Sequence, residues 1–476
     1  MIPQGCFVSA ILAAQKEITM TATLQSRPFR VITQLDISRI PQLQRLDPDF
    51  VLSMKAVASV LPFRANNYVL EELIDWSNIP ADPIFQLVFP QPGMLQPQDL
   101  ASMRALIAAG APRPRIIEAA REIQHRMNPH PAGQKQLNVP EMDGEPVAGM
   151  QHKYRETVLF FPQAGQTCHA YCTYCFRWAQ FVGIEDLKFA SGSPQTLVRY
   201  VEQHPEVTSV LFTGGDPLVM NSKILRQYVE PLLGMKHLLS IRIGTKSTAY
   251  WPYRFVNDPD SDDLLRLFEQ VDRSGKNMAI MAHFSHPREL QTDIAREALA
   301  RLANANATVR CQAPLIRHVN DDWRCWSEMW REQIRHNAIP YYMFVERDTG
   351  PKEYFKVPLA RCLEIFQKAY ATVSGLGRTV RGPSMSCTPG KVVVDGVTEI
   401  QGQKVFVLKF LQGRDPQWSG RIFFAAYDEN AAWLDDLKPA LGETRFFFEP
   451  ELEAMKASGN ARVWQKPGFP GLLEEN

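Results

Sequence analysis

Three cysteines in one short loop are the residues of this chain best suited to chemistry. Cys168, Cys172 and Cys175 follow one another at spacings of four and three, directly after a strand-like run at 158–161. Three thiolates are one ligand short of a closed iron–sulfur or zinc site. The spacing therefore predicts a [4Fe–4S] cluster with one open iron. Two alternatives remain: a structural zinc site, for which His169 in the loop is the nearest fourth ligand, and free cysteines buried in the core.

The open iron of such a cluster can chelate the amino and carboxylate groups of S-adenosylmethionine, and nearby residues fit the same ligand. Tyr174, directly before the last cysteine, is predicted to lie against its adenine. Gly214, Gly215 and Asp216 come directly after the predicted strand 209–212 and Thr213. Two glycines let the backbone approach a ligand closely, and Asp216 can accept a hydrogen bond from the methionine ammonium group. A turn of this composition is commonplace alone, so the prediction depends on its place after a strand and downstream of the cysteine loop.

Composition limits the class of protein. A length of 476 residues suggests two or three domains. The content of 45% hydrophobic and 22% charged residues is that of an ordinary globular protein. The net charge of +1 gives no electrostatic reason to expect nucleic acid or an anionic membrane surface as a partner. No apolar run reaches the roughly 18 residues of a membrane span.

The cysteines and the amino-terminal segment predict a cytoplasmic location. No basic residue precedes the apolar stretch 7–14, so this stretch makes a poor secretory signal, and Met20 is an alternative start. A cluster with an open iron needs a reducing compartment. The remaining cysteines are too scattered for a disulfide framework: Cys6, Cys311, Cys325, Cys362 and Cys387.

The pattern of the sequence changes near residues 150 and 386. Residues 1–150 carry helical patterns broken by proline, which predicts a mainly helical domain, with helices over 50–60, 98–109 and 116–126. Residues 386–476 predict a small α+β extension, with strands over 404–409 and 421–426, a helix over 430–437 and a loose tail from Gly459.

Between these regions, residues 151–385 alternate strands with helices. The predicted strands are 157–161, 209–212, 238–243, 278–281, 308–311 and 340–344. The predicted helices are 194–203, 262–274, 293–303 and 323–336. Such alternation predicts parallel pairing with right-handed crossovers. The predicted fold class is therefore α/β, with a partial (β/α)6 barrel whose site residues follow the strand ends.

These motifs together resemble the lysine 2,3-aminomutase family of radical S-adenosylmethionine (radical SAM) enzymes. Besides the cysteine loop, the segments 213–218, 242–247, 283–287, 315–321 and 340–342 occur in the family's order and at similar spacing, within roughly residues 60–413. The resemblance implies an isomerase that cleaves S-adenosylmethionine reductively to a 5′-deoxyadenosyl radical, with a donor such as flavodoxin or ferredoxin. That radical takes a β-hydrogen from an amino acid held on pyridoxal phosphate, and the amino group then migrates to the adjacent carbon.

The resemblance also implies cofactor-binding residues. An ungapped count puts the lysine that holds pyridoxal phosphate on Lys391, although the segment before it keeps only one glycine of the family's glycine-rich loop. Lys153 or Arg155 would then bind the phosphate. His283 and Gln312 are further cofactor-binding candidates. The alternative is that Lys391 is a solvated loop lysine and that pyridoxal phosphate is not used.

The implied substrate contacts depart from a lysine-specific pattern. Arg177 matches the family's clamp for the substrate α-carboxylate, a task that suits a guanidinium group. The two family aspartates that bind the distal ammonium group of lysine fall on Arg347 and Ser384. A cation in place of an anion repels a lysine side chain, so we expect a different α-amino acid. The alternative is that Arg347 pairs with Glu346 or Asp348 at the rim.

Two other functions stay open. One is a radical SAM oxidoreductase or modifying enzyme that works without pyridoxal phosphate. The other is a non-enzymatic iron–sulfur redox protein, against which Asp216 and the glycine pair speak, because a sensor needs no S-adenosylmethionine site. No cysteine follows Cys387, so the family's late cysteine-rich zinc site is missing, and with it the basis for the family's usual subunit contacts. A homo-oligomer stays open as well.

Overall fold

The structure is a computed structural model, and it describes residues 26–459. Cys6, the alternative start at Met20 and the tail after Gly459 lie outside the described residues. Each predicted strand of the central region is present in that part of the chain. Its strands, in order, are β1 Val31–Thr33, β2 Arg64–Asn66, β3 Glu141–Met142, β4 Glu145–Pro146, β5 Met150–Tyr154, β6 Thr157–Phe160, β7 Ser209–Phe212, β8 Ser240–Thr245, β9 Asn277–His283, β10 Thr308–Leu315, β11 Ile339–Val345, β12 Arg381–Ser386, β13 Gly390–Ile400, β14 Gln403–Gly413 and β15 Ile422–Ala426.

The seven helices predicted between residues 50 and 336 are present, with shifts of one to three residues at some ends, and the described residues form further helices that the sequence did not predict. In chain order the helices are α1 Pro48–Val60, α2 Pro83–Val88, α3 Pro97–Ala108, α4 Arg113–Arg126, α5 Pro194–Gln203, α6 Ser222–Val229, α7 Ser247–Tyr250, α8 Tyr253–Val256, α9 Ser261–Arg273, α10 Asp293–Asn304, α11 Trp323–Arg335, α12 Lys352–Phe355, α13 Leu359–Ala371 and α14 Glu449–Ser458.

One eleven-stranded sheet, in the order β5 to β15, organises the molecule. Strands β6 to β12 pair in parallel. β5 is antiparallel to β6, and β13 to β15 add antiparallel strands at the other edge. The parallel run with helices between its strands confirms the predicted α/β fold with a partial barrel. It contains one more parallel strand than predicted, β12.

Strand β8 shows how the sequence builds this barrel. Ile241 and Ile243 are fully buried on its outer face, whereas Arg242 lies on the opposite face and donates through Nη2 to Thr157 Oγ1 of β6 at 3.4 Å. Successive side chains of a strand point to opposite faces. Apolar residues therefore bind the sheet to its helices, and polar residues face the barrel interior.

The sheet curls so that β5 approaches the start of the antiparallel extension. Within residues 26–459 no backbone pairing joins β5 to β12, β13 or β14. Instead, Lys153 on β5 donates through Nζ to the carbonyl of Cys387, between β12 and β13. Arg414, directly after β14, donates to Thr388 O at 2.7 Å and to Asn138 Oδ1 at 2.5 Å. We call these contacts the seam. Side chains, not a strand pair, close the barrel there.

The amino-terminal region holds the cysteine loop in place. The amide of Tyr171 donates to Arg64 O at 2.8 Å, and the amide and hydroxyl of Thr173 donate to Leu87 O at 2.9 and 3.1 Å. The loop is therefore fastened to the strand β2 and to the helix α2.

The proposed domain boundaries at 150 and 385 stay predictions. β5 begins at Met150, and the sheet runs on across residue 385.

The carboxyl-terminal region agrees with the sequence in its strands and differs in its helix. β14 and β15 contain the two predicted strands. The predicted helix over 430–437 is wrong, because the segment forms only a 3₁₀ turn, Leu434–Asp436. Asp436 accepts hydrogen bonds from the amides of Ala432 and Trp433 at 2.9 and 3.0 Å. This side chain ties the backbone into a tight turn in place of a longer helix.

Across the described residues, helices are too short or too polar to cross a membrane.

Candidate active site

The cysteine loop leaves the carboxyl end of β6 and folds into two tight turns. The amide of Cys175 donates to Cys172 O at 3.1 Å, and the amide of Trp178 donates to Cys175 O at 3.0 Å. Burial raises the pKa of all three loop thiols, that of Cys175 to about 12. The thiols of Cys172 and Cys175, together with Asp216, also raise the pKa of Cys168. The three half-buried cysteines thus lie near one another.

The arrangement of the three thiols is compatible with a [4Fe–4S] cluster. Within residues 26–459 no three His, Cys, Asp or Glu side chains form a group that could hold one metal ion. A [4Fe–4S] cluster distributes its thiolates over separate irons, so its ligands need not converge on one point. His169, the fourth ligand of the zinc alternative, has its Nδ1 at 3.0 Å from Ser247 Oγ and its ring against Trp251. It is part of the packing.

Gly214 and Gly215 let the loop after β7 pack directly against the cysteine loop. A Cβ atom on Gly215 would lie 2.4 Å from Thr167 O, and one on Gly214 would lie 2.1 Å from Gln166 Nε2. The amide of Asp216 donates to Thr167 O at 2.6 Å. The close approach that requires glycine is therefore between two loops of the protein. Binding of S-adenosylmethionine by these glycines stays a prediction.

Asp216 joins the ends of two neighbouring strands. Its buried carboxylate accepts from Thr245 Oγ1 at 2.7 Å, from the Lys246 amide at 2.9 Å, from Ser247 Oγ at 3.0 Å and from the Leu218 amide at 3.0 Å. Burial raises its pKa, and these hydrogen bonds oppose that effect. The side chain holds the loops after β7 and β8 together. A contact with the methionine ammonium group stays a prediction.

Behind the cysteines lies a buried polar group that the sequence did not reveal. Tyr250 places its hydroxyl 3.4 Å from Cys172 Sγ. Lys246 forms an ion pair with the buried Glu289 at 2.7 Å, and its Nζ lies 4.6 Å from the centre of the Tyr250 ring. Lys246 and Tyr250 are one helical turn apart, the spacing that brings side chains to one face. That spacing is the only sequence signal that could have linked them.

The other candidate cofactor residues lie at the same end of the barrel. Tyr174 is buried with its hydroxyl 3.3 Å from Ser285 Oγ. Gln312 at β10 donates through Nε2 to His283 Nε2 of β9 at 2.7 Å. Burial lowers the pKa of His283 to about 3, so its imidazole is neutral. The strand register brings His283 and Gln312 opposite each other. Their contact with a cofactor stays a prediction.

Lys391 lies in β13, directly after Gly390, and is paired with Ser386 of β12. Its Nζ lies 4.3 Å from the centre of the Tyr342 ring and 5.8 Å from that of Phe344. Burial, with a smaller contribution from the nearby Arg242, lowers its pKa to about 8. Lys391 is thus an enclosed amine against aromatic rings, which argues against the solvated loop lysine.

Arg177 and Arg347 share an aromatic ring. Their guanidinium carbons lie 4.9 and 4.4 Å from the centre of the Phe176 ring. Burial lowers the pKa of Arg177 to about 9, and Arg347 contributes to this shift. Arg347 donates to Ser386 Oγ at 2.9 Å, next to Lys391. A run of contacts therefore leads from the cysteine loop to Lys391.

The side chains at the remaining predicted positions contact other residues of the protein. Arg155 lies 3.6 Å from Glu156 at the surface, and Lys153 donates to Cys387 in the seam. Ser384 is buried, with its hydroxyl donating to Arg381 O at 3.3 Å. A role of Lys153 or Arg155 in phosphate binding stays a prediction. Arg242, whose Nε is buried and finds no hydrogen-bond acceptor among residues 26–459, is a cation near Lys391 that sequence reasoning missed.

Comparison with known proteins tests the resemblance to the lysine 2,3-aminomutase family. No family model matches the chain. The chain is 29% identical over 408 residues to the "Putative L-lysine 2,3-aminomutase" of Aquifex aeolicus (strain VF5), and the alignment covers 86% of this chain and 94% of that protein. The resemblance to the lysine 2,3-aminomutase family is confirmed.

Two further relatives, both named L-lysine 2,3-aminomutase, match about half of this chain. The L-lysine 2,3-aminomutase of Fusobacterium nucleatum subsp. nucleatum is 27% identical over 235 residues, which is 49% of this chain and 52% of that protein. That of Bacillus subtilis (strain 168) is 28% identical over 235 residues, 49% of this chain and 47% of that protein. Among solved structures, a radical SAM methyltransferase from Sphaerobacter thermophilus aligns with a TM-score of 0.35 and 15% identity, over 59% of this chain and 92% of that chain.

Proposed function

We propose that this protein is a radical SAM enzyme of the 2,3-aminomutase type, which moves an amino group between adjacent carbons of an α-amino acid other than lysine. The relatives named lysine 2,3-aminomutase support the reaction class. One structural observation supports it most: the run of contacts from Cys175 through Phe176 and Arg347 to Ser386 and Lys391. A radical source and an amine that can hold pyridoxal phosphate would face one cavity.

In this proposal Cys168, Cys172 and Cys175 hold a [4Fe–4S] cluster, which supplies the electron that cleaves S-adenosylmethionine bound at its open iron. The protein would enclose S-adenosylmethionine and orient it. The loop of Gly214 to Asp216 packs on the cysteine loop and would border the methionine. The Tyr174 ring, held by Ser285, would border the adenine, and the His283 and Gln312 pair would border the ribose side. Flavodoxin or ferredoxin is the expected class of reductant.

Lys391 is the proposed attachment point of pyridoxal phosphate, whose ring stabilises the radical during amino-group migration. An amine must lose its proton before it can attack a carbonyl carbon. Burial prepares Lys391 for this step, because it lowers the pKa to about 8. Tyr342 and Phe344 flank the amine with apolar surface that excludes water. Arg242 and Arg381, both among the charges acting on Lys391, are the nearest candidates to neutralise a phosphate.

The substrate is proposed to lie between the cluster and Lys391. Arg177 would bind its α-carboxylate, since a guanidinium group can make two parallel hydrogen bonds to a carboxylate. Arg347 would face the side chain. Asp348 forms its ion pair with Lys352 and Arg347 bonds to Ser386, which speaks against the pairing of Arg347 with Asp348, while the charge of Glu346 acts on Arg347. A lysine ammonium group would meet a like charge there.

The test is anaerobic purification, followed by iron and sulfide analysis, absorbance spectra with added pyridoxal phosphate, and an assay for 5′-deoxyadenosine with a panel of amino acids. The proposal expects a cluster, a protein-bound pyridoxal chromophore and a β-amino acid product. Cleavage of S-adenosylmethionine without a pyridoxal chromophore would favour the pyridoxal-independent enzyme. A cluster that never cleaves S-adenosylmethionine would favour the redox protein.

A further inference from the structure

Two cations of the candidate site, Arg177 and Arg347, stack on the same aromatic ring. Arg177 stacks on Phe161 at 4.3 Å and on Phe176 at 4.9 Å, and Arg347 stacks on Phe176 at 4.4 Å. The two guanidinium carbons are therefore separated by less than the sum of their distances to that ring. Like charges repel at such range, and the repulsion grows where water is excluded.

Neither guanidinium group has a carboxylate partner within residues 26–459. Arg347 makes its side-chain hydrogen bond with the neutral Ser386, and Arg177 has only its ring contacts. The adjacent Asp348 is paired with Lys352. Glu346 is 8% exposed and its charge acts on Arg347, but it forms no ion pair with either arginine. Enclosed charges are normally paired, and both arginines are half-buried, so each guanidinium group can hold an anion.

A third group in this region also lacks a partner. The hydroxyl oxygen of Tyr154, on β5, is buried and has no hydrogen-bond partner in the described chain. It lies close enough to Arg347 for each to affect the other's charge. A phenol hydroxyl can donate to a carboxylate held by a neighbouring guanidinium group. Most buried polar side-chain atoms have a partner, so this hydroxyl also points to a ligand.

We propose that the substrate is a short dicarboxylic α-amino acid. Arg177 binds its α-carboxylate, and Arg347 binds its side-chain carboxylate together with the hydroxyl of Tyr154. This inference rests on the proposed function for the amino-group migration itself. The dicarboxylate supplies one negative charge to each guanidinium group, which removes the repulsion between them. A neutral side chain would leave Arg347 and Tyr154 unpaired, and a cationic side chain would add a third positive charge.

Acidic side chains near Arg347 are the main argument for a cationic ligand. A cavity of about 340 Å³ is lined by Arg347, by Lys352 and Lys356, and by acidic residues that include Glu346, Asp435 and Asp436. Burial raises the pKa of Glu346 well above its ordinary value and raises that of Asp435, which favours their neutral forms. Asp436 accepts two backbone hydrogen bonds. Exposed charges are screened by salt within about 8–10 Å, and Lys352 and Lys356 offset part of the negative charge of this lining.

The first experiment measures binding without catalysis. Glutarate has two carboxylates and no amino group, so it cannot react with pyridoxal phosphate. Isothermal titration of the anaerobically purified, cluster-reconstituted protein is expected to show at least tenfold tighter binding of glutarate than of butyrate. Arg347→Met and Tyr154→Phe should each weaken glutarate binding, Arg347→Met by about tenfold or more. Arg347→Lys should recover part of the loss, and Arg324→Met, at an exposed helix position, should change nothing.

Equal binding of glutarate and butyrate, or glutarate binding that survives Arg347→Met in a folded protein, would overturn the dicarboxylate assignment. A second arm separates this from the proposed function. Glutamate, aspartate, norvaline and lysine are assayed for 5′-deoxyadenosine and β-amino acid. A β-amino acid formed from norvaline or lysine as readily as from glutamate would reject the substrate class and keep the mutase. Glutarate binding without any β-amino acid would keep the dicarboxylate site and reject the mutase.

Discussion

The hydroxyl of Tyr250 lies 3.4 Å from the Sγ of Cys172. Burial holds the pKa of this phenol well above its ordinary value, so it stays protonated and can donate to a cysteine thiolate. Hydrogen bonds to the ligand sulfurs of an iron–sulfur cluster help to set its reduction potential, because they stabilise the more negative reduced form. Tyr250 is therefore placed to ease the electron transfer on which the proposed radical chemistry depends.

Tyr250→Phe should lower the midpoint potential of the cluster, by on the order of tens of millivolts. A redox titration followed by electron paramagnetic resonance measures this directly. Tyr228→Phe is the matched control, since Tyr228 is also buried but packs on Phe160 and Phe212. An unchanged potential in Tyr250→Phe would show that the hydroxyl does not bond to a cluster ligand.

Replacing Cys168, Cys172 and Cys175 by alanine should abolish iron loading and S-adenosylmethionine cleavage and leave the fold intact. The loop is held by backbone bonds to Arg64 and Leu87, which the substitutions do not touch. Iron content and circular dichroism are the two measurements. The control replaces Cys311, a buried cysteine on β10, by serine. Iron retained in the triple variant would refute the cluster assignment.

Lys391→Ala should remove the pyridoxal chromophore and prevent its trapping by borohydride, with the cluster intact. In the wild type, trapping should increase as the pH rises through about 8, because burial lowers the pKa of Lys391 to about 8 and only the unprotonated amine reacts. Lys404→Ala is a close control: Lys404 also lies in a strand, 3.5 Å from the centre of the Tyr427 ring. Trapping that persists in Lys391→Ala would assign the cofactor to another lysine.

Lysine should be a poor substrate, and Arg347 should be the reason. Like charges brought together in a desolvated pocket cost several kcal/mol, and about 1.4 kcal/mol is tenfold in affinity. We therefore expect discrimination against lysine of about a hundredfold or more in steady-state assays. Arg347→Asp should reduce it. Efficient turnover of lysine by the wild type, unaffected by this substitution, would mean that Arg347 does not meet the substrate.

Gly215→Ala should destabilise the protein by about 1–3 kcal/mol, the usual cost of overpacking. The added Cβ would meet the backbone of Thr167 at 2.4 Å, and backbone atoms have little room to move. Gly396→Ala is the control, because the structure leaves open space at that position. Urea unfolding of both variants supplies the comparison. Equal midpoints would show that the two loops are not in contact as described.

Much of the barrel was predictable because its signals are local. The strand β7 and the helix α5 begin and end where the hydrophobic pattern indicates. The cysteine spacing lies within one loop. β12 was missed because Gly382 and Pro383 interrupt it, and neither residue is typical of a strand interior. The local sequence did not place Lys391 in a strand, because that depends on its pairing with Gln412 of β14.

The partners of the candidate site were harder to foresee, because they meet across long stretches of chain. Nothing in the local sequence joins Tyr250 to Cys172, or Tyr154 to Arg347. Each pair depends on which strand lies next to which, and on how far the sheet curls. Arg347 itself was found only through the family resemblance. Its lack of a carboxylate partner, which carries the substrate proposal, can be read only from three-dimensional packing.

The seam has a consequence for how the protein is made. A ribosome releases the cysteine loop long before it synthesises Cys387 and Arg414. Until those residues emerge, Lys153 and Asn138 have no seam partners, and the curled sheet cannot shut around its interior. The cysteine loop thus leaves the ribosome before the pocket of Lys391 can take shape, which needs residues as far along as Arg414. In the proposed enzyme, metal delivery can therefore precede the loading of pyridoxal phosphate.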